Sequence, residues 1–506
     1  MISISDELKS IAKGEILSDD WSRKIYSVDA SHYSIEPSVI TYPLDEYDLS
    51  DICQYGYSKN VSMTARGAGT GLLGQSLNDN IIIDFTKYMN KILEIEPDYV
   101  IVQPGLVKGV LDKELEKKGK FFPPDPASSN YCTIGGMIAN NSSGIHALGY
   151  GSTIDFLDMI NVVYSDGKMA SIDGNSIIDG YSKDDISDEK ISKSFRLLFS
   201  NRDLILNSYP KVSKNSCGYR LDSVITGKRF NLHKIFAASE GTLGFVTSTK
   251  IKIMDIPLHK AVIIFGFKTL LDAMFFVPLI LQFTPSALEM LDHTLLINPD
   301  TQKQYWNIDK NAAGCLLFVE FAGDNLFDIE QRLSTCKNKL SFKSIVLESV
   351  FDTNSSKKIW QARKSALNNA MKLTVGSRKP LGLIEDTVVN PNALYDYTNF
   401  LLQKYNEYNL DYVIYGHAGN GNLHTRPIID TKSNNELEIL NSIADDVFKK
   451  VISYGGTISG EHGDGIGRTK YMEFMYGLQI VAIFKQIKKI FDPKFIMNPG
   501  KKVIKA

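Results

Sequence analysis

Residues 66–74 read RGAGTGLLG and directly follow a short apolar run, VSMTA at 61–65. Backbone N–H groups approach an anion closely only where no side chain intervenes. A glycine-rich turn after a strand is therefore a natural phosphate cradle. Thr70 adds a hydroxyl donor and Arg66 a nearby cation. No Gly-Lys-Ser/Thr occurs, so this is not a nucleoside-triphosphate P-loop. The letters G-x-G-x-x-G at Gly69, Gly71 and Gly74 lack an acidic ribose partner after a second strand. For this loop alone, a plain turn or close packing is the alternative reading.

Two more glycine-dense stretches lie downstream. Residues 122–151 contain PPDP, TIGG, NNSSG and YG, and residues 238–246 read ASEGTLGFV. Around them, 38–42, 81–85 and 99–103 have the composition of strands, while 46–57 and 108–118 carry helical apolar spacing. This rhythm predicts an α/β or α+β fold. The texture changes near 255, where a strand at 261–267 opens a helix-rich stretch and 316–321 returns as a strand. The reading is an N-terminal segment (1–35), a first domain (36–255) and a second domain (256–506) that closes with a helix at 477–491.

The 506 residues exceed what one hydrophobic core organises. A net charge of -2 gives no electrostatic reason to expect nucleic acid as a partner. The five cysteines are scattered with no C-x-x-C, which argues against a disulfide framework or an iron–sulfur cluster. The first twenty residues do not read as a targeting peptide. The apolar run 273–281 is interrupted by Pro278 and is too short to span a bilayer, so it reads as a buried helix. A cytoplasmic location is expected, with peripheral contact to the inner membrane face as the alternative.

Eight histidines occur, and His417, His424 and His462 fall within GHAGNGNLH (416–424) and SGEHGDGIGR (459–468). Glycines let the backbone bend so that both loops can turn imidazoles inward. Glu461 would complete a two-histidine, one-carboxylate set that leaves positions open for water or substrate. A lone histidine would read as a satisfied core residue; three beside a carboxylate in two glycine-rich loops point to a divalent metal.

The ordered set R-G-x-G-T, P-P-D-P, T-I-G-G-M-I-A-N-N-S-S-G, Y-G and S-E-G-T-L-G-F-V-T resembles the FAD-binding domain of the vanillyl-alcohol-oxidase, or para-cresol-methylhydroxylase, superfamily. The resemblance implies a two-lobed FAD-binding domain. Its implied FAD contacts are Arg66, Gly67, Gly69, Thr70, Gly71, Pro124, Thr133, Gly135, Gly136, Asn140, Gly144, Gly151, Glu240, Gly241, Val246 and, in the closing IMNPGK, Asn498. The first loop has no histidine to tether the flavin, so the FAD is expected to be dissociable. Cys132 reads as a small buried hydrophobe.

The second half is similar to the cap of FAD-linked D-lactate and D-2-hydroxyglutarate dehydrogenases and glycolate oxidase FAD subunits. It carries SALEMLD (286–292), IEDTVV (384–389) and IMNPGK (496–501). The resemblance implies an antiparallel sheet with flanking helices and a C-terminal helical segment. It makes His417, His424 and Glu461 the metal ligands, with zinc first and manganese or iron as alternatives. It makes His462 the base and Arg363 the holder of the substrate carboxylate. Arg378 and Lys379 are further substrate candidates, with an exposed basic pair as their default reading. The implied reaction oxidises a small D-2-hydroxy acid by hydride transfer to flavin N5. Reduced flavin would pass electrons to a quinone, a cytochrome, an electron-transfer flavoprotein or a separate iron–sulfur subunit.

Two positions depart from the pattern: Asn420 stands where an aspartate is usual, and Arg426 where a smaller polar residue is usual. Arg426 either reads a second substrate carboxylate or pairs with a protein acid. The alternatives to the dehydrogenase are a non-catalytic FAD-fold subunit of a glycolate oxidase-like complex and an alkyldihydroxyacetone-phosphate synthase-like enzyme.

Overall fold

The strand Ile81–Asp84 is buried along its whole length. Its unbroken isoleucine run fits a strand covered on both faces. It pairs in parallel with Val39–Tyr42 on one side and Met63–Arg66 on the other, and Glu15–Leu17 adds an antiparallel outer strand. The helix Glu46–Lys59 makes the crossover: Asp45 accepts from the amides of Tyr47 and Asp48, and Asn60 ends the helix at φ 58°. RGAGTGLLG therefore leaves the carboxyl end of a parallel strand, where open α/β sheets collect ligands. The computed structural model describes residues 3–174, 188–227, 229–296, 313–351, 353–365 and 370–504.

A second lobe is a five-stranded antiparallel sheet in the order Ile92–Ile95, Tyr99–Val102, Phe245–Lys252, Leu157–Val163, Met169–Asp173. Its central strand, Phe245–Lys252, alternates buried and half-buried residues, as a strand with one face on the core must. The helix Ile134–Asn140 starts at Thr133, whose hydroxyl accepts the Gly136 amide. TIGG thus forms a wall opposite the first loop.

The second domain is built on a mostly antiparallel sheet in which His259–Phe267 and Cys315–Gly323 pair through nine residues. Ala287–Asp292, Tyr412–His417 and Asn422–Asp430 extend it. The helices Leu270–Leu281, Leu326–Leu340 and Thr353–Lys364 pack on it. The 273–281 run lies in the first of these and buries Ala273, Met274, Phe276, Val277 and Ile280. No helix among the described residues is long and apolar enough to cross a membrane.

The closing helix is the second of two helical segments between Met472 and Phe491 that meet at Gly477, a non-helical residue (φ 75°, ψ 164°), and so starts where its sequence predicts. It leaves the cap sheet and packs against Glu189–Ser200 and Arg202–Ser208 of the first domain. Phe484 meets Tyr219 edge-on, and Phe491 meets Tyr164. The chain then reaches the first sheet, where the Met63 amide donates to Ile496 and the Asn498 amide donates back to Met63. The last segment thus returns to the first domain instead of staying with the second, because these aromatic contacts lie on the first domain.

Candidate active site

One cavity runs between the two domains. Its floor is Gly67, Gly69, Thr70 and Gly71; one wall is Thr133, Gly136, Asn140 and Gly144; Glu240 and Gly241 close another side. A side chain on Gly67 would collide with the Thr133 hydroxyl and one on Gly71 with Gln75, so these glycines let the walls approach each other. Gly136 and Gly241 differ: a Cβ there meets nothing closer than 3.3 Å and 3.6 Å, and both line the cavity. Open backbone on facing walls is what a long phosphate-bearing cofactor such as FAD needs, so the residues fit that group.

The far end of the cavity holds Arg363, Lys364, Tyr415, His417, His424, Glu461 and His462. His417 ends one strand of a hairpin and His424 lies opposite Tyr415 on the next. Gly421 turns between them at φ 69°, and a Cβ there would strike the Val389 carbonyl. Three imidazoles converge on one oxygen: Nε2 of His417, His424 and His462 lie 3.0, 3.4 and 3.7 Å from Glu461 Oε1. The other Glu461 oxygen is held by the Ser143 hydroxyl at 2.6 Å and by buried Lys214 at 3.0 Å.

Each ring is fixed from behind by a carboxylate. Nδ1 of His417 donates to Glu289 at 2.7 Å, that of His424 to Glu385 at 3.1 Å, and that of His462 to the other Glu385 oxygen at 2.7 Å. A carboxylate behind Nδ1 leaves Nε2 facing forward, the usual arrangement around a ligated ion. Burial disfavours the imidazolium form of His417, yet Glu289 and Glu461 hold its pKa above the ordinary value. Burial opposes His462 too, but Glu385 and Asp386 push it up to about 9. The field favours positive charge, and the donor set fits a divalent ion.

Asp386, His424, Glu461 and His462 also bring four ligand atoms within 4.8 Å of one another. We prefer His417 to Asp386 as a ligand, because the Asp386 oxygens are already committed. They accept the amides of Glu461 at 3.0 Å and His462 at 2.8 Å, and Arg468 lies 3.5 Å away. Asp386 sits at φ 69°, a costly conformation for a residue with a side chain, which these bonds stabilise. Asp386→Ala is expected to destabilise the fold by about 3–5 kcal/mol, since buried Arg468 would lose a charge partner. Denaturant unfolding measures this, and a change below ~1 kcal/mol would contradict it.

The remaining sequence-predicted residues fall into three groups. Arg66, Gly135 and Val246 line a second, smaller cavity adjoining the first; the Arg66 guanidinium lies against Gly69 and donates to the Tyr26 and Val28 carbonyls. Pro124, Gly151 and Asn498 line neither cavity. Asn498 clamps the loops from below, donating to the Gln75 and Glu240 carbonyls. Among the substrate candidates, Arg378 binds Glu436, and Lys379 lies exposed on the same edge strand, so neither reaches the cavity. Arg426 lies buried 3.4 Å from Glu385, paired with a protein acid. Arg363 does reach the site, with Nη2 2.8 Å from Glu289 and its Nε without a hydrogen-bond partner among the described residues. Asn420 donates to Ser213. Lys214, Glu289, Glu385 and Asp386 were given no role by sequence reasoning, although three of them lie in the SALEMLD and IEDTVV motifs.

Residues 37–173 match the FAD binding domain family, and residues 256–502 match the family described as FAD linked oxidases, C-terminal domain. The chain thus carries the two domains of FAD-linked oxidases. Among its curated relatives is D-2-hydroxyglutarate dehydrogenase of Haemophilus influenzae, 30% identical over 97% of this chain and 50% of the relative. Glycolate oxidase subunit GlcD of Bacillus subtilis is 28% identical, covering 98% of this chain and 96% of the relative. D-lactate dehydrogenase of Anaerostipes hadrus is 27% identical, covering 98% and 96%. The chain spans about half the length of the D-2-hydroxyglutarate dehydrogenases it matches. The fold is that of solved para-cresol methylhydroxylase (TM-score 0.68, 14% identity, 97% of this chain and 94% of that one). It is likewise that of alkyldihydroxyacetonephosphate synthase (TM-score 0.66, 18% identity, 97% and 84%).

Proposed function

We propose that this protein oxidises a small D-2-hydroxy acid, of the D-lactate, D-2-hydroxyglutarate or glycolate class, to the 2-oxo acid. The observation that carries the reading is the convergence of three imidazole Nε2 atoms on Glu461 at the end of the cavity lined by the glycine loops. The names of the relatives supply the substrate class.

The glycine loops would hold FAD, and His417, His424 and Glu461 would hold the metal, with zinc the best match to two imidazoles and a carboxylate. Bound FAD supplies the two-electron sink for the C2 hydrogen and its electron pair, and a divalent ion supplies Lewis acidity that lowers the hydroxyl pKa. Arg363 binds the substrate carboxylate, in a cavity wall where its guanidinium is pre-aimed by Glu289. With a dication held at Glu461, which would lower the neighbouring imidazole from the value of about 9 it has without the ion, His462 Nε2 would accept the hydroxyl proton; Glu385 behind Nδ1 fixes the ring and stabilises the charge that results. Lys214 and Ser143 keep the Glu461 carboxylate from rotating.

Retention of the complete donor set favours catalysis over a purely assembling subunit. Electrons would leave to a quinone, a cytochrome, an electron-transfer flavoprotein or a separate iron–sulfur subunit. Five buried free thiols suit a reducing, cytoplasmic setting. Turnover with an artificial dye acceptor, measured for D-lactate, L-lactate, D-2-hydroxyglutarate and glycolate, tests the reading. Activity on a D-acid or glycolate is expected, and preference for L-lactate would refute the stereochemistry.

A further inference from the structure

His146 lies in the loop after NNSSG, outside the metal cluster, and touches both domains. Its amide and Nδ1 bind the two oxygens of Asp125, at 3.1 and 2.9 Å, within PPDP. Its Nε2 lies 3.2 Å from Glu320 in the central cap strand Cys315–Gly323. Each of these carboxylates continues to the same helix, Thr353–Lys364. Glu320 accepts the Trp360 indole N–H at 2.7 Å, and Asp125 pairs with Lys364 at 3.2 Å. The imidazole also meets the Trp360 ring at 5.4 Å.

Trp360 and Lys364 are four residues apart and so lie on one helix face. Arg363 sits in the turn between them, facing the cavity. Both arms of the His146 contact therefore end beside the arginine assigned above to the substrate carboxylate. The Asp125 contact is a hydrogen bond and the Glu320 contact an ion pair, so a ring protonated on both nitrogens suits both carboxylates.

We propose that His146 is a positioning residue: clamped between Asp125 and Glu320, it locks the Thr353–Lys364 helix onto the FAD-binding domain and so aims Arg363 at the substrate. This rests on the reading of Arg363 given under the proposed function. Arg363 holds substrate in both ground and transition state, so loosening its helix acts on KM more than on kcat.

The charge environment supports a persistent imidazolium. Facing His146 are Asp125 and Lys364, with Asp112 beyond them, and Glu320, with Lys260 beyond it. Tyr150 lies 6.4 Å from the ring, and Asp324 acts on Tyr150. Burial opposes protonation, but Asp125 and Glu320 outweigh it and raise the pKa to about 9. The raised value fixes the sign: the clamp is intact below the ordinary histidine range near 6.5 and is lost as pH rises through about 9.

Steady-state kinetics of the FAD-loaded protein, with a D-2-hydroxy acid and a dye acceptor from about pH 6 to about pH 10, test this for wild type, His146→Gln and Arg363→Gln. Wild-type KM is expected to be flat at neutral pH and to rise through about pH 9. His146→Gln is expected to raise KM on the order of 10-fold at neutral pH, with kcat within about 2-fold, and to abolish the alkaline rise. A variant that melts earlier yet keeps the wild-type KM and its pH profile would overturn the proposal and leave a purely structural role. If His146→Gln does not fold, the wild-type profile decides, and a KM flat to about pH 10 overturns it. Arg363→Gln separates the two claims. An unchanged KM there refutes the reading of Arg363, whereas a raised KM there with none in His146→Gln refutes the clamp alone.

Discussion

His462→Gln in the FAD-loaded protein is expected to lower kcat by about 10²–10⁴-fold while leaving FAD content and KM close to wild type. Glutamine can still donate to Glu385, as Nδ1 does now, so the ring's anchor is replaced. It offers no group that accepts a proton near neutral pH, which is the function assigned to Nε2. Arg363 is untouched, so binding of the carboxylate should persist. Rapid-mixing measurement of flavin reduction isolates the step from dye reoxidation. A variant reduced at the wild-type rate would remove His462 from the chemistry.

Glu461→Gln is expected to abolish stoichiometric binding of a divalent ion, read by elemental analysis of the purified protein. Its Oε1 is the atom on which three imidazoles converge, and an amide oxygen lacks the charge that holds a dication. The substitution also strips buried Lys214 of its only carboxylate contact within 4 Å among the described residues. Stability should therefore fall by about 3–5 kcal/mol as well. Glu385→Gln separates the two effects: it leaves Lys214 paired and is expected to weaken metal affinity by about 10–100-fold, because it sets the rings of both His424 and His462. Retention of one equivalent of ion in Glu461→Gln would rule out this ligand set.

The site was legible in the sequence where the chemistry is local. RGAGTGLLG, TIGG and GHAGNGNLH announce themselves because glycine density and histidine spacing are short-range signals. What supports them is not local. Ser143 and Glu461 are 318 residues apart, Lys214 and Glu461 are 247 apart, and Glu289 and His417 are 128 apart. No pattern in a single chain pairs such positions. A buried lysine is also rare enough that a sequence reader assigns it to the surface. Arg378 and Lys379 keep their default reading as a surface pair on an edge strand: charge identifies a cation but not the side of the sheet on which it is presented.

The fold divides in the same way. The buried isoleucine strand and the cap strands are set by apolar runs. The return of the C-terminal segment depends on Phe484 and Phe491 finding Tyr219 and Tyr164 in another domain. Helical spacing shows that such a face exists but not which surface covers it.

The most direct measurement of the central claim is an anaerobic titration of the FAD-loaded protein, following flavin absorbance as D-lactate, D-2-hydroxyglutarate and L-lactate are added in turn, with and without a chelator. Bleaching of the flavin by a D-acid is expected, with none by L-lactate and loss of the response once the metal is removed. An oxidised flavin that no 2-hydroxy acid bleaches, in protein with FAD and metal bound, would contradict it.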